Sequence, residues 1–351
     1  MARTSPPASP APSPAAAAPA PAPLSAAPAA SEPLRVLALS GGGFLGLYTA
    51  TVLAGLEERA GQPLGRCFGL LAGTSIGALL AVALAFEIPM QRVVELITSQ
   101  GPRVFSRRPL PSGAVSRLMD LSRSVAGPKY SGRELREALQ AVLGERRLGQ
   151  ALHPVVVPAV DVVQCRTKVF KTPHGRSEES DAELPVVDII MAACAAPAYF
   201  PSVVVGPKLY ADGGLFAVAP DQIALHEAQH FLGIAPQRVS MLSVGTATAR
   251  YRPREGVEDP QAGAVGWLAD GRLVLTLLSV QQQHVQAMME DRLGARYVRL
   301  DAQWPAEAGL GIDVATATAA QVLQDLARQT LARTPASLLA TFLEPRRVRA
   351  G

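Results

Sequence analysis

Phe68-Gly69-Leu70-Leu71-Ala72-Gly73-Thr74-Ser75-Ile76-Gly77-Ala78-Leu79-Leu80 is the stretch whose reading decides the fold. A short apolar run, readable as a buried strand, ends at Gly73. A second apolar run of helix-compatible composition begins at Ile76 and lasts until Pro89. Between them stands G-x-S-x-G with Ser75 at its centre, in the strand–sharp turn–helix context of a nucleophile elbow. Gly73 and Gly77 allow the turn because they have no Cβ to strike the neighbouring strand and helix. Ser75 is then held at the top of a sheet, at the positive end of the following helix. The plainer alternative is a Gly/Ser loop joining two core elements.

Outward from this stretch, strands and helices alternate. Leu34–Leu39 reads as a buried strand, followed by Ser40-Gly41-Gly42-Gly43-Phe44-Leu45-Gly46 and a helix over 47–59. Met90, Val93, Val94 and Ile97 sit at helical spacing. Residues 155–163 and 167–171 read as paired strands, and 186–196 as a helix rich in small residues. Leu209-Tyr210 leads into Ala211-Asp212-Gly213-Gly214, and Pro220 opens another helix. A strand over 239–244, a helical stretch over 266–293, a strand over 297–300 and a helix over 314–331 complete the pattern. The alternation predicts one α/β domain with a mostly parallel central sheet covered by helices on both faces. Its expected bounds are 34–335, between an Ala/Pro-rich tail at 1–33 and a basic tail at 336–351. Ten of the 30 prolines fall in residues 1–33, a composition that cannot bury enough apolar surface to offset its ordering entropy. Residues 102–128 mix arginines with apolar residues and read either as a cap or as a solvated insertion.

The composition excludes several classes. Hydrophobic residues make up 48% and charged residues 18%, enough for a sizeable core. A net charge of +4 is too mild to argue for DNA or RNA. Cys67, Cys165 and Cys194 form no C-x-x-C pair, so neither a disulfide framework nor a thiolate metal site is expected. The longest apolar run, 76–86, is too short to span a bilayer, which takes roughly 20 residues. The expected location is therefore cytoplasmic, with peripheral contact to lipid.

Three motifs compete for the chemistry. Gly41-x-Gly43-x-x-Gly46 fits G-x-G-x-x-G after a strand and before a helix. A dinucleotide site would need an acidic residue about 20 positions on, at the end of a second strand, and Glu57 and Glu58 come too early. The other reading is a loop of glycine N–H groups that cradles an anion. His226-Glu227-Ala228-Gln229-His230 is a literal H-E-x-x-H on a predicted helix and would place two histidines on one face for zinc, against the alternative of a solvated helix face. Ser75 and Asp212 form the third set. A serine hydroxyl is a poor nucleophile until a base takes its proton. None of the five histidines stands where a triad base would, so a carboxylate in the Gly-rich turn at Asp212 is the better candidate.

Taken in order, the glycine loop Gly41-Gly42-Gly43-Phe44-Leu45-Gly46, the elbow Gly73-Thr74-Ser75-Ile76-Gly77 and the turn Asp212-Gly213-Gly214 resemble the patatin-like phospholipase family. Residues 192–201 and 242–246 resemble its secondary features. The resemblance covers about 34–300 and implies the patatin-like three-layer fold. It also implies a lipid acyl hydrolase of the phospholipase A type, acting through an acyl-enzyme with no cofactor or metal. Ser75 and Asp212 would be its Ser–Asp dyad. Backbone N–H groups of Gly41, Gly42, Gly43 and Ile76 would be its oxyanion hole. Within the family, 40–58, 65–105 and Lys129-Tyr130-Ser131 look most like effectors of bacterial CBASS antiphage systems. That likeness implies a cyclic di- or oligonucleotide activator, membrane phospholipid as substrate, association with the inner membrane when active, and a homo-oligomer as one expected state. A constitutive lipase or esterase, and a catalytically weak binding module, stay open as alternatives. Two departures stand out: Leu45 where the family usually has Arg or Lys, and Gly69 where it usually has Asp. Both suggest reduced or conditional activity.

Overall fold

The computed structural model describes residues 33–106, 127–176, 181–248, 267, 272–304 and 309–344. Most of the 102–128 segment and the whole 1–32 stretch lie outside the described residues. Eight strands form one sheet: β1 (Leu34–Leu39), β2 (Leu70–Gly73), β3 (Val155–Asp161), β4 (Arg166–Lys171), β5 (Val203–Val205), β6 (Lys208–Asp212), β7 (Val239–Val244) and β8 (Tyr297–Leu300). β8, β7, β1, β2 and β3 run parallel in that order, β4 and β6 pair antiparallel with β3, and β5 pairs antiparallel with β6. The mostly parallel sheet expected from the alternation is therefore present, with a hairpin, β5–β6, that the sequence reading did not resolve.

The central strand explains the layers. β1 is buried along its whole length. Its side chains alternate between faces, as pleating requires. Leu37 and Leu39 join the larger core with α1 (Gly46–Ala60), α2 (Ile76–Ala85), α3 (Met90–Val104) and α5 (Val186–Ala193), while α4 (Arg133–Leu143) contributes Leu139 and Leu143 to the same core. Leu34, Val36 and Ala38 join the opposite core under α6 (Asp221–His230) and α7 (Arg272–Leu293). A strand buried on both faces reads as a continuous apolar run, which is how LRVLAL appears.

Register brings the loops of interest together. Leu39 and Gly73 are partners across the parallel β1–β2 ladder. The glycine loop after β1 and the elbow after β2 therefore leave the sheet side by side. Asp212 arrives from another direction. β4 pairs with β3 from Val156 to Asp161 and fills one edge of it. The other edge carries β2 opposite Val155 and Val156 and β6 opposite Ala159 to Asp161. β2 runs parallel to β3 and β6 antiparallel to it, so their C-terminal ends meet head-on along the same edge. One end carries Ser75 and the other Asp212.

The C-terminal boundary differs from the expectation. Residues expected to begin a basic tail instead form a helix, α9 (Ala336–Leu343), after α8 (Ala317–Arg333). Leu339 and Phe342 are buried in the main core, and the Phe342 ring stacks on Phe68 with centroids 6.4 Å apart. The Arg35 guanidinium donates to the carbonyls of Thr341 and Glu344 at 3.1 and 2.6 Å, closing the helix C-terminus. Phe342→Ala is expected to lower unfolding free energy by about 3 kcal/mol or more in a urea titration. A loss under about 1 kcal/mol would show that α9 is a dispensable tail after all.

Candidate active site

Ser75 occupies φ 55°, ψ −124°, a backbone region that side-chain-bearing residues rarely adopt. Such a conformation costs about 1–3 kcal/mol and persists only where the surroundings enforce it. Here they do. The Thr74 N–H donates to the Leu39 carbonyl at 3.1 Å, and its hydroxyl donates to the Ala217 carbonyl at 2.7 Å. The Gly77 N–H returns to the Thr74 carbonyl and the Ala78 N–H to the Ser75 carbonyl, both at 2.8 Å. A Cβ on Gly73 would collide with the Gly77 carbonyl, and one on Gly77 with the Leu39 carbonyl. Both elbow glycines are steric necessities.

Asp212 is buried, at 4% exposure. Its N–H donates to the Ala195 carbonyl at 3.0 Å, and its Oδ1 accepts the Gly214 N–H at 2.7 Å. The Ser75 hydroxyl is close enough to the carboxyl to lower its pKa, against the effect of burial. Burial raises the Asp212 pKa from an ordinary 3.8 to about 6, against the lowering effect of the Ser75 and Gly214 hydrogen bonds. Gly213 follows because the chain there touches β3: a Cβ would strike the Pro158 carbonyl. The pair is thus a hydroxyl beside a carboxylate that is ionised at neutral pH yet basic enough to accept a proton.

One neighbour went unnoticed in the sequence. Cys194, at the end of α5, lies against both Ser75 and Asp212. Burial and then the Asp212 charge push its thiol pKa up, so it stays protonated. The only sequence signal was its place among the small residues at 192–196.

The glycine loop needs one correction. Gly41 was expected to contribute its N–H to an oxyanion hole, but that group already donates to the Val218 carbonyl at 2.8 Å. The remaining candidates are Gly42, Gly43 and Ile76, whose N–H groups meet no acceptor among the described residues. Ile76 opens α2, where backbone N–H groups have no partner within the helix. Gly43, at φ 57°, packs so tightly that a Cβ would enter the Ile312 carbonyl.

The competing motifs dissolve. Glu57 is spent on the fold: its carboxylate accepts the N–H groups of Leu64 at 3.0 Å and Met90 at 2.8 Å. Glu227 turns into the protein, accepting from Lys171 Nζ at 2.9 Å and lying 3.2 Å from His174. His226 and His230 stay on the exposed side with ring centroids 4.4 Å apart. The zinc pattern is therefore split between two faces, and no metal-binding cluster of His, Cys, Asp or Glu occurs among the described residues. Leu45 is fully buried in the main core, and the Gly69 N–H donates to the Arg35 carbonyl at 2.7 Å.

Once this geometry is in view, the relatives of the chain fit it. The Patatin family model (patatin-like phospholipase) matches residues 37–225. The cGAMP-activated phospholipase of Pseudomonas aeruginosa (strain BWHPSA011 / Pa011) is 39% identical over 269 residues, 76% of this chain and 77% of that protein. The cGAMP-activated phospholipase of Vibrio cholerae serotype O1 (strain ATCC 39315 / El Tor Inaba N16961) is 31% identical over 82% of this chain and 87% of its own length. That of Escherichia coli (strain TW11681) is 28% identical over 81% and 84%.

Raising a carboxyl pKa on folding carries a stability cost. The ionised form is disfavoured in the fold, so stability is greatest at low pH and falls as pH rises from about 4 to about 6. A gap from 3.8 to about 6 corresponds to about 3 kcal/mol. Asp212→Asn should therefore raise unfolding free energy at pH 8 by up to that amount, and the gain should shrink at pH 4.5. A variant less stable than the parent at pH 8 would contradict the burial of a costly charge.

Proposed function

Because the chain belongs to the patatin-like phospholipase family, we propose that it hydrolyses phospholipid acyl esters through Ser75 and Asp212 and that a cyclic dinucleotide switches it on. The observation that carries the chemistry is the head-on approach of β2 and β6, which sets the Ser75 hydroxyl against a buried carboxyl held near 6.

As Ser75 Oγ attacks the ester carbonyl, Asp212 takes its proton. The carbonyl π electrons move onto oxygen, and the N–H groups of Gly42, Gly43 and Ile76 hold the resulting oxyanion. Removing one such donor typically costs about 2.7–4 kcal/mol in the transition state. The tetrahedral species collapses, the lysolipid alkoxide leaves with the proton from Asp212, and Ser75 stays acylated. Water then attacks the acyl carbon, gives its proton to Asp212, and releases the fatty acid as the proton returns to Ser75. A base near 6 suits this exchange, because it is ionised at neutral pH and still accepts a proton readily.

Lipid as substrate is supported by the surroundings. Leu215 and Phe216 follow the Asp212 turn directly and are 53% and 38% exposed. No helix among the described residues is long and apolar enough to cross a membrane. Activation by cGAMP is supported by relatives of that name that align over most of their own length. The Leu45 departure does not favour a mere binding module. Its side chain is core, and other bonds order the loop.

Fatty acid release from phospholipid vesicles, with and without cGAMP, tests this directly. Release is expected with cGAMP and should fall at least about 10³-fold in Ser75→Ala. Equal release without nucleotide would leave a constitutive lipase, and release undiminished in Ser75→Ala would overturn the dyad.

A further inference from the structure

Two adjacent glutamines on α7 hold both halves of this site. The Val218 N–H donates to Gln281 Oε1 at 3.2 Å, while the Val218 carbonyl accepts the Gly41 N–H at 2.8 Å. Gln281 Nε2 reaches the Gly214 carbonyl at 3.5 Å, and the Gly214 N–H donates to Asp212 Oδ1 at 2.7 Å. One side chain thus links the peptide that starts the glycine loop to the peptide that orients the carboxylate.

Gln282 supports the same glycine through packing. Its Oε1 accepts the Thr248 hydroxyl at 3.1 Å and the Arg299 guanidinium at 2.7 Å. Thr246 donates its hydroxyl proton to the Gly41 carbonyl at 3.2 Å, and its oxygen packs 3.3 Å from that of Thr248, whose own proton goes to Gln282. Arg299 is itself fixed by Asp301 and Ser243, each at 2.8 Å. The N–H of Gly41 is therefore tied by hydrogen bonds through Val218 to Gln281, while its carbonyl is held by Thr246, which packs on the Thr248 that Gln282 fixes. Gly41 also packs on the nucleophile: a Cβ there would lie 3.2 Å from the Ser75 Cβ.

We infer that Gln281 and Gln282 are positioning residues that keep the glycine loop and the Asp212 turn in register with Ser75. The inference rests on the Ser75–Asp212 reading for its catalytic meaning, but the hydrogen-bond link stands on geometry alone. Neither glutamine touches the reacting atoms. Their effect comes through the placement of the oxyanion donors at Gly42 and Gly43 and of the carboxylate. Displacing catalytic groups by about 1 Å can cost on the order of 100-fold.

Gln281 is the residue to change, since it is half-buried whereas Gln282 is fully enclosed. Gln281→Met keeps the length of the side chain and removes both bonds. In the full chain, assayed on a soluble p-nitrophenyl ester with cGAMP present, kcat should fall about tenfold or more with KM within about twofold. The melting temperature should stay within about 2 °C. Amide hydrogen exchange at Val218 and Gly41 should speed up while exchange along β1 and β7 stays unchanged. Unaltered kcat and exchange would overturn the inference. So would a fall in kcat matched by faster exchange across the whole sheet, which marks a general structural role. Ser75→Ala is run alongside. If it retains turnover, the dyad reading fails, and the exchange at Val218 and Gly41 alone decides whether Gln281 holds the loop.

Discussion

The site depends on one edge of one strand. β4 occupies the far side of β3, which leaves the near side to be shared between β2, pairing at Val155 and Val156, and β6, pairing from Ala159. The gap from Val156 to Ala159 is about 10 Å along the strand. Two oppositely directed strands must end there, and each turns away sharply. That constraint explains the strain at Ser75, the glycine at 213 against the Pro158 carbonyl, and the burial of Asp212 between the two turns. Burial in turn raises the carboxyl pKa, so the geometry of strand pairing sets how readily Asp212 takes a proton.

The glycine loop shows how a missing charge is offset by backbone bonds. Leu45 goes into the core. The loop is held by the Gly41 N–H on Val218, the Thr246 hydroxyl on the Gly41 carbonyl, and the Phe44 N–H on the Ile312 carbonyl at 2.7 Å. These partners come from the segments after β6, β7 and β8, so the loop's order depends on distant parts of the chain.

Much of this was legible in the residues, for local reasons. Ser75 stood out because a strand, two glycines and a helix surround it within a few positions. Asp212 stood out because it sits in a Gly-rich turn just after a strand, with no histidine placed to act as base. What escaped was non-local. The use of the Gly41 N–H by Val218 is a backbone contact with no side-chain signature. α9 is short and precedes an arginine-rich end, and only its packing on Phe68 reveals it as core. Gln281 and Gln282 lie in the helical stretch over 266–293 with no signal of their own until the fold brings Val218, Gly214 and Thr248 to them. The zinc pattern failed for a related reason. Lys171 draws Glu227 inward, away from the histidine pair, and sequence spacing does not record that partner.

The most direct test is the rate of Ser75 labelling by a fluorophosphonate as a function of pH, followed by intact mass. With a buried carboxylate as base, the rate should rise about tenfold per pH unit below 6 and level off above it, and Asp212→Asn should label slowly at every pH. Equal labelling of Asp212→Asn and the parent protein, or a rise centred well above 7, would assign the base to another group and contradict the account.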